Sequence, residues 1–364
     1  MGLYRGSNRS SVDFIVRPPD PPKYDLETPL GTVKIGPFRE GDEEGILQLF
    51  RDLFCARRNM DQWNWQYRDH PLGMHVFVGR LASGQVVSHF AGIPARTRVF
   101  DGTYVFSQVV DSMVDPRCRS GLKKHGLFKL TLLAHAYHYG RPDRELVQMG
   151  LPNPLAYRLG AQTCYYVPLT KCYAHEKRID PDRTGCGIES EIKVLGETFE
   201  VAVLDHFPDD VGELWEKLKK RHGIISFRDP ATLEWRYTKN PNWNYRIVAI
   251  RSSDGVLRGV AVTRSHWLVQ RDLIIGDWLP DLDMEAASPA LIKVCERLAA
   301  EDGMKRVLCI LNHNAPESRV FEDTGYDLWK TPFRLVAHSY DPSFLTEDDI
   351  LRHWYYTAGD FDVF

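Results

Sequence analysis

The stretch of this 364-residue sequence best suited to chemistry is Arg117-Cys118-Arg119-Ser120-Gly121-Leu122-Lys123-Lys124-His125-Gly126-Leu127-Phe128. It follows a strand pattern closed by proline, Gln108-Val109-Val110-Asp111-Ser112-Met113-Val114-Asp115-Pro116, and runs into an apolar helix pattern. From Val114 to Gly126 four basic side chains (Arg117, Arg119, Lys123, Lys124) face one acid, Asp115, a local charge of about +3 in a chain of formal net charge −3. A cationic, glycine-bearing loop that enters a helix aims backbone N–H groups and the positive end of the helix dipole at one point. That geometry suits a phosphate or pyrophosphate. Metal chemistry is not expected. Cys172 with His175, and His135 with His138, have ligand-like spacing but no second pair nearby, and with seven scattered cysteines and no C-x-x-C pair a disulfide framework is not expected either.

The elements that must hold this loop come from an internal repeat. Trp65-Gln66-Tyr67 and Trp235-Arg236-Tyr237 both read W-x-Y, with a proline four residues after the tyrosine (Pro71, Pro241). After each copy comes a pair of apolar strands around a glycine turn: 75–80 and 86–93 around Ser83-Gly84, then 245–251 and 256–263 around Asp254-Gly255. Before each copy lies an amphipathic helix pattern, 42–54 with Ile46, Leu49 and Phe50, and 209–218 with Val211, Leu214 and Trp215. Both copies end in an apolar helix (127–139, 290–300), a strand, an asparagine (Asn153, Asn312) and a glycine turn. Two mixed α/β domains that arose by duplication account for this order. The place of the basic loop is taken in the second copy by Asp277, Asp281, Asp283 and Glu285 with no base, which would repel a pyrophosphate, so one cofactor per chain is expected. Trp63, Trp65, Tyr67, Trp235 and Tyr237 recur in a half without a cofactor loop, which favours core packing over an acceptor pocket.

These residues carry a family resemblance. The order hairpin, strand ending V-x-P, basic glycine loop, amphipathic helix, strand and asparagine turn resembles the GNAT superfamily of acyl-CoA-dependent N-acyltransferases, here as two tandem copies over roughly 33–342. Within it, Arg39 to Phe50, Trp63 to Gly73, and Val114-Asp115-Pro116 with Lys123-Lys124-His125-Gly126-Leu127-Phe128 resemble a bacterial subgroup. Between Pro116 and Gly126 the loop is longer than that pattern.

The resemblance implies an α/β (α+β mixed sheet) fold of two tandem GNAT-like domains, each a central mixed, mostly antiparallel sheet flanked by helices. The expected division is a proline-rich arm over 1–30, a domain with the CoA site over 31–176, a linker over 177–190, a degenerate second domain over 191–342 and an aromatic, acidic tail over 343–364. It implies transfer of an acyl group from acetyl-CoA, or another acyl-CoA, to a primary amine by direct attack. Asp111, the only acid over 105–114, is then the expected base, with pairing to an arginine or capping of a turn as its alternative. Tyr157 is the expected acid, though nearer to Asn153 than the family spacing. Backbone N–H groups of Met113 and Val114 would hold the thioester. Arg119, Lys123, Lys124, His125, Gly126, Leu127 and Phe128 would hold the pyrophosphate, and Asn153 would bind the pantetheine or cap its turn. The tail, with Asp360 and Asp362, either folds over a domain edge or shapes a site for a cationic amine.

Two other readings stay open: a tRNA-dependent aminoacyl transferase of tandem-GNAT type, and a non-catalytic binding protein. The net charge and the lack of a basic stripe speak against a nucleic-acid partner. With no apolar run long enough to span a bilayer and no signal-peptide core after Met1, a cytoplasmic location is expected. The acceptor, whether a small-molecule or a sugar amine, and the oligomeric state are not legible.

Overall fold

The computed structural model describes residues 24–119, 126–163, 167–180, 187–267 and 271–364. The first half runs β1 (Asp25–Thr28), β2 (Gly31–Pro37), α1 (Asp42–Phe54), α2 (Met60–Trp63), β3 (His75–Leu81), β4 (Val86–Val99), β5 (Gly102–Val114), α3 (Leu127–Tyr139), β6 (Val147–Gly150), α4 (Pro154–Thr163) and β7 (Val167–Arg178). The second half repeats it: β8 (Glu191–Val194), β9 (Glu197–Leu204), α5 (Val211–Leu218), β10 (Ile224–Ser226), α6 (Pro230–Leu233), β11 (Arg246–Ser252), β12 (Leu257–Ser265), β13 (Asp272–Pro280), α7 (Ala287–Glu301), β14 (Arg306–Ile310), α8 (Ser318–Asp323) and β15 (Asp327–Ser339). The chain closes with α9 (Glu347–His353), β16 (Trp354–Tyr355) and a 3-10 turn at Ala358–Asp360.

Local sequence accounts for the elements nearest the site. Helix α1 opens with Asp42, Glu43 and Glu44 and has Arg51 in its last turn, charges that complement the helix dipole, and it buries Ile46 and Leu49. Helix α2 starts at Asn59, whose side chain accepts the Gln62 N–H, and α6 starts at Asp229, which accepts the Thr232 N–H. Each then passes into a π-helical turn, Asn64–Arg68 and Glu234–Thr238, that carries the W-x-Y residues. The expected helix over 127–139 is α3; its N-cap, Gly126, has no side chain to cap the first-turn N–H groups.

The strands form one mixed sheet in the order β1-β2-β3-β4-β5-β6-β15-β7-β14-β13-β12-β11-β9-β8, with β10 and β16 attached at β4. Helices cover both faces. Helix α3 packs with β2 and β3 through Leu127, Leu130 and Ala134, while α1 and α2 pack on β3 and β5 through Ile46, Leu49 and Trp63. The halves exchange their last strands: β7 pairs with β14 from Ala174↔Ile310 to Arg306↔Arg178, and β15 pairs with β6 from Val336↔Gly150 to Ser339↔Val147. The exchange welds two copies into one sheet.

Each half has one parallel pair on the main path. Strands β5 and β6 pair from Phe106↔Val147 to Gln108↔Met149 and then part; β13 and β14 pair from Asp272↔Arg306 to Ile275↔Cys309 and then part. A β-bulge sits just past each parting point. The β4–β5 register slips between Ala91↔Val110 and His89↔Met113, with Asp111 at φ 48, and the β12–β13 register slips around Gly276. Aspartate tolerates the left-handed region better than most residues, so Asp111 can turn the strand there. Two corresponding clefts result.

Candidate active site

The first cleft is built around Asp111. Its carboxylate takes a guanidinium N–H from Arg58 (Nη1 to Oδ2) and a second from Nη2 to Oδ1 at 3.3 Å. It also accepts the Tyr67 hydroxyl, and its carbonyl meets His89 Nδ1 at 2.7 Å. Burial, the largest single influence, works to raise the Asp111 pKa, but the charge and hydrogen bonds of Arg58, with His89 and the Tyr67 hydroxyl, together outweigh it and hold the carboxyl below its ordinary value. Burial, followed by the Asp111 charge, pushes the Tyr67 hydroxyl well above its own. Of the two sequence readings of Asp111, the pairing with an arginine is what the structure has.

The same arrangement recurs in the second cleft. Arg228 Nε donates to Asp277 Oδ1 at 2.9 Å, and the Tyr237 hydroxyl donates to Asp277 Oδ2 at 2.9 Å. Each arginine stands just ahead of its helix N-cap, and Arg58 precedes Tyr67 by the same distance along the chain as Arg228 precedes Tyr237. Sequence reasoning noticed the tyrosines and missed the arginines, although their equal spacing was the available signal.

The clefts differ in what fills them. In the second, the C-terminal segment enters. A Cβ on Gly276 would lie 1.8 Å from the Phe364 ring, so only glycine admits that ring. Asp360 joins Arg228 at 2.6 Å, Arg236 donates to the Gly359 and Phe361 carbonyls, and Trp267 Nε1 donates to Val363 O at 2.7 Å. Of the four acids that were expected to repel a pyrophosphate, three are matched by bases and only Glu285 has no ion pair among the described residues. Asp277 is matched by Arg228, Asp281 by Lys217 (2.8 Å) and Arg258 (3.0 Å), and Asp283 by Arg221. Steric filling closes this cleft; the counter-charges came from α5, the turn after it and β12, outside the stretch whose acids were counted.

The tail also reaches the first cleft. Gln108, the last β5 residue paired with β6, donates from Nε2 to Asp362 Oδ1 at 2.5 Å and accepts the Asp362 N–H at 2.9 Å. Asp362 stays open to solvent, within surroundings crowded enough that burial, and then the Asp111 charge, raises its pKa above the ordinary carboxylate value. Neither Gln108 nor the position of Asp362 was legible, since nothing in the sequence says where a tail docks.

The other described sequence candidates lie on β5, in the turn after it, and at the starts of α3 and α4. Lys123, Lys124 and His125 lie outside the described residues. Gly126 and Leu127 stand at the start of α3, where Leu127 is buried and Phe128 half-buried. Met113 and Val114 sit in the β4 ladder opposite His89 and Ser88. Arg119 directs Nε and Nη2 to the Val114 carbonyl at 3.2 and 3.1 Å, and Arg117 pairs with Asp115 at 2.7 Å, so these two loop cations already have partners on the loop. Asn153 caps α4 by accepting the Ala156 N–H at 2.9 Å. The Tyr157 hydroxyl accepts Arg334 Nη1 at 3.0 Å, with that guanidinium over its ring at 4.4 Å. Trp63 and Tyr67 are core residues, as their recurrence suggested, and Trp65 stacks on Trp235 across the junction of the halves at 5.1 Å. Among the described residues no group of three or more His, Cys, Asp or Glu side chains could hold a metal, and no helix is long and apolar enough to cross a membrane.

No family model and no curated protein matches this sequence. Solved structures do match its fold. A protein of unknown function from Enterococcus faecalis, described as a probable N-acyltransferase, superposes with a TM-score of 0.60 at 10% identity over 86% of this chain and 74% of its own. Saccharomyces cerevisiae N-myristoyltransferase with bound myristoyl-CoA superposes with a TM-score of 0.53 at 11% identity over 84% of this chain and 82% of its own. The chain therefore has the fold of the GNAT-type N-acyltransferases, as a mixed sheet flanked by helices.

Proposed function

We propose that the chain is an N-acyltransferase that takes one acyl-CoA in the cleft between β5 and β6 and passes the acyl group to a primary amine. The observation that carries this reading is the parting of β5 from β6 at a bulge, beside a helix that starts at a glycine N-cap, in the counterpart of the cleft that Phe364 occupies. In this reading the pantetheine lies along β5 as an added strand, with Met113 and Val114 N–H groups at the thioester carbonyl. The start of α3, with Lys123, Lys124 and His125, would meet the pyrophosphate. Asn153 would flank the pantetheine, and Tyr157 would return a proton to the leaving thiolate. The Arg58–Tyr67–Asp111 group fixes the bulge that makes room for all of this.

Acetyl-CoA is the donor we favour, with longer acyl chains as the competing possibility, since one structural neighbour holds myristoyl-CoA. Titration of the full chain with acetyl-CoA and with myristoyl-CoA, read by native mass spectrometry and thermal unfolding, tests the proposal. One bound equivalent is expected, with stabilisation of about 2.7 kcal/mol when ligand stands at about 100 times its Kd. Absence of binding by either ligand would leave only a scaffold.

A further inference from the structure

We propose that Asp362, delivered by the C-terminal segment, is the base that deprotonates the acceptor amine. The inference rests on the transferase reading above and adds a residue that the strand of Asp111 does not contain. Among the described acids of the two clefts, Asp111 is committed to Arg58 and Tyr67, and Asp277 and Asp360 are buried against Arg228. In the first cleft Asp362 is open to solvent and, among the described residues, has no ion-pair partner within 4.0 Å. It stands where β5 leaves β6, fixed there by the reciprocal bonds with Gln108.

The groups that act on Asp362 come from every side of the cleft. Asp111 on β5 raises its affinity for a proton, while Arg236 after α6, Arg58 ahead of α2 and the Gln108 amide lower it. The balance is upward, opposite to that of Asp111. Two carboxyls of one cleft pushed apart in this way divide their work: one stays ionised and structural, the other takes up a proton more readily. Asp111 is thus a poor base because its proton affinity is already low, and its counterpart Asp277 shows the same wiring where no ligand can enter.

In the reaction, the ammonium of the acceptor gives a proton to the Asp362 carboxylate. The freed amine nitrogen attacks the thioester carbonyl, a C–N bond forms, the C–S bond breaks, and its electron pair leaves on the CoA sulfur as thiolate. The proton on Asp362 then passes to solvent, and the second proton that leaves the nitrogen as the amide forms replaces the one Tyr157 gives to the thiolate.

The test uses the full-length chain, acetyl-CoA and two amine probes, with release of free thiol as readout. Glycinamide is an α-amine with a pKa of about 8 and needs a base at pH 7; hydroxylamine is largely neutral there and does not. Asp362→Asn should lower kcat for glycinamide by about 100-fold or more at pH 7, with acetyl-CoA affinity held, and should lower the ratio of glycinamide to hydroxylamine turnover to match. The rise of wild-type rate as pH climbs through the Asp362 pKa should vanish, leaving only the rise from ionisation of the amine itself. Asp362→Glu should recover part of the glycinamide rate. Equal loss with both probes, an unchanged pH profile, or binding of acetyl-CoA by the wild type without thiol release would each overturn the assignment. A wild-type chain that binds no acyl-CoA would instead bring down the transferase reading itself.

Discussion

The two clefts share their scaffold and differ in their contents, and that contrast separates structural residues from functional ones. Both have an arginine ahead of a helix N-cap, a tyrosine on a π-helical turn and an aspartate at a bulge, joined in one hydrogen-bonded group. The group survives in the second cleft, where Phe364 and the turn at Ala358–Asp360 occupy the space. A device kept where no ligand can reach it serves the fold. What the first cleft has in place of that filling is a solvent-facing acid, Asp362, brought in from the tail. Exposure follows the same division: the Arg228 and Asp277 side chains retain 3% and 4% of their accessible surface, Arg58 and Asp111 16% and 7%.

The largest effect expected from this contrast is on stability. Arg228→Ala leaves the Asp277 and Asp360 carboxylates buried without a counter-charge, which should cost about 3–5 kcal/mol in denaturant unfolding. Arg58→Ala strands one carboxylate that is closer to water, and should cost distinctly less. If the two variants unfold at the same denaturant concentration, the clefts are not as different in solvation as their geometry indicates, and the second cleft loses its standing as a sealed copy.

A smaller effect should follow from moving the tail. Gly276→Val puts a branched side chain where the Phe364 ring lies, and overpacking of that kind costs about 1–3 kcal/mol. Because Phe364 and Asp362 belong to one short segment, the substitution should also raise hydrogen exchange over 358–364 and weaken the Gln108–Asp362 contact in the other cleft. Glycinamide turnover should then fall in parallel with tail release. Full protection of the tail in the variant would show that the segment is held elsewhere than at the bulge.

How far this comparison could be read from sequence depended on spacing. The W-x-Y repeats, the flanking hairpins, α1 and α3 are local patterns, and the structure has them close to their expected bounds. The Arg58 and Arg228 pair was equally periodic but escaped notice, because a lone arginine carries no signal until its carboxylate is known to lie across the sheet. The exchange of β7 and β15 left no trace, since a strand pattern is the same whichever neighbour it pairs with. Counting acids along β13 misjudged its charge for a similar reason: Lys217, Arg221 and Arg258 reach Asp281 and Asp283 from elements far away in sequence. Local chemistry was legible; its long-range partners were not.

The finest comparison lies where the halves meet. Trp65 and Trp235 occupy equivalent places in the repeat and stack on each other, so the local two-fold relation of the halves runs between them. The symmetry is incomplete. Trp65 Nε1 donates to the Trp235 carbonyl at 2.8 Å, whereas Trp235 Nε1 is buried without a partner. Two consequences follow for stability. A double-mutant cycle with Trp65→Phe and Trp235→Phe should give a coupling of about 0.5–1.5 kcal/mol, the range for aromatic pairs. The single variants should differ by about 1 kcal/mol, with Trp65→Phe the costlier, because it alone removes a hydrogen bond and leaves a carbonyl unmet. Equal single-variant costs would mean that the junction is symmetric in solution and that the asymmetry of the two clefts stops short of the residues that join them.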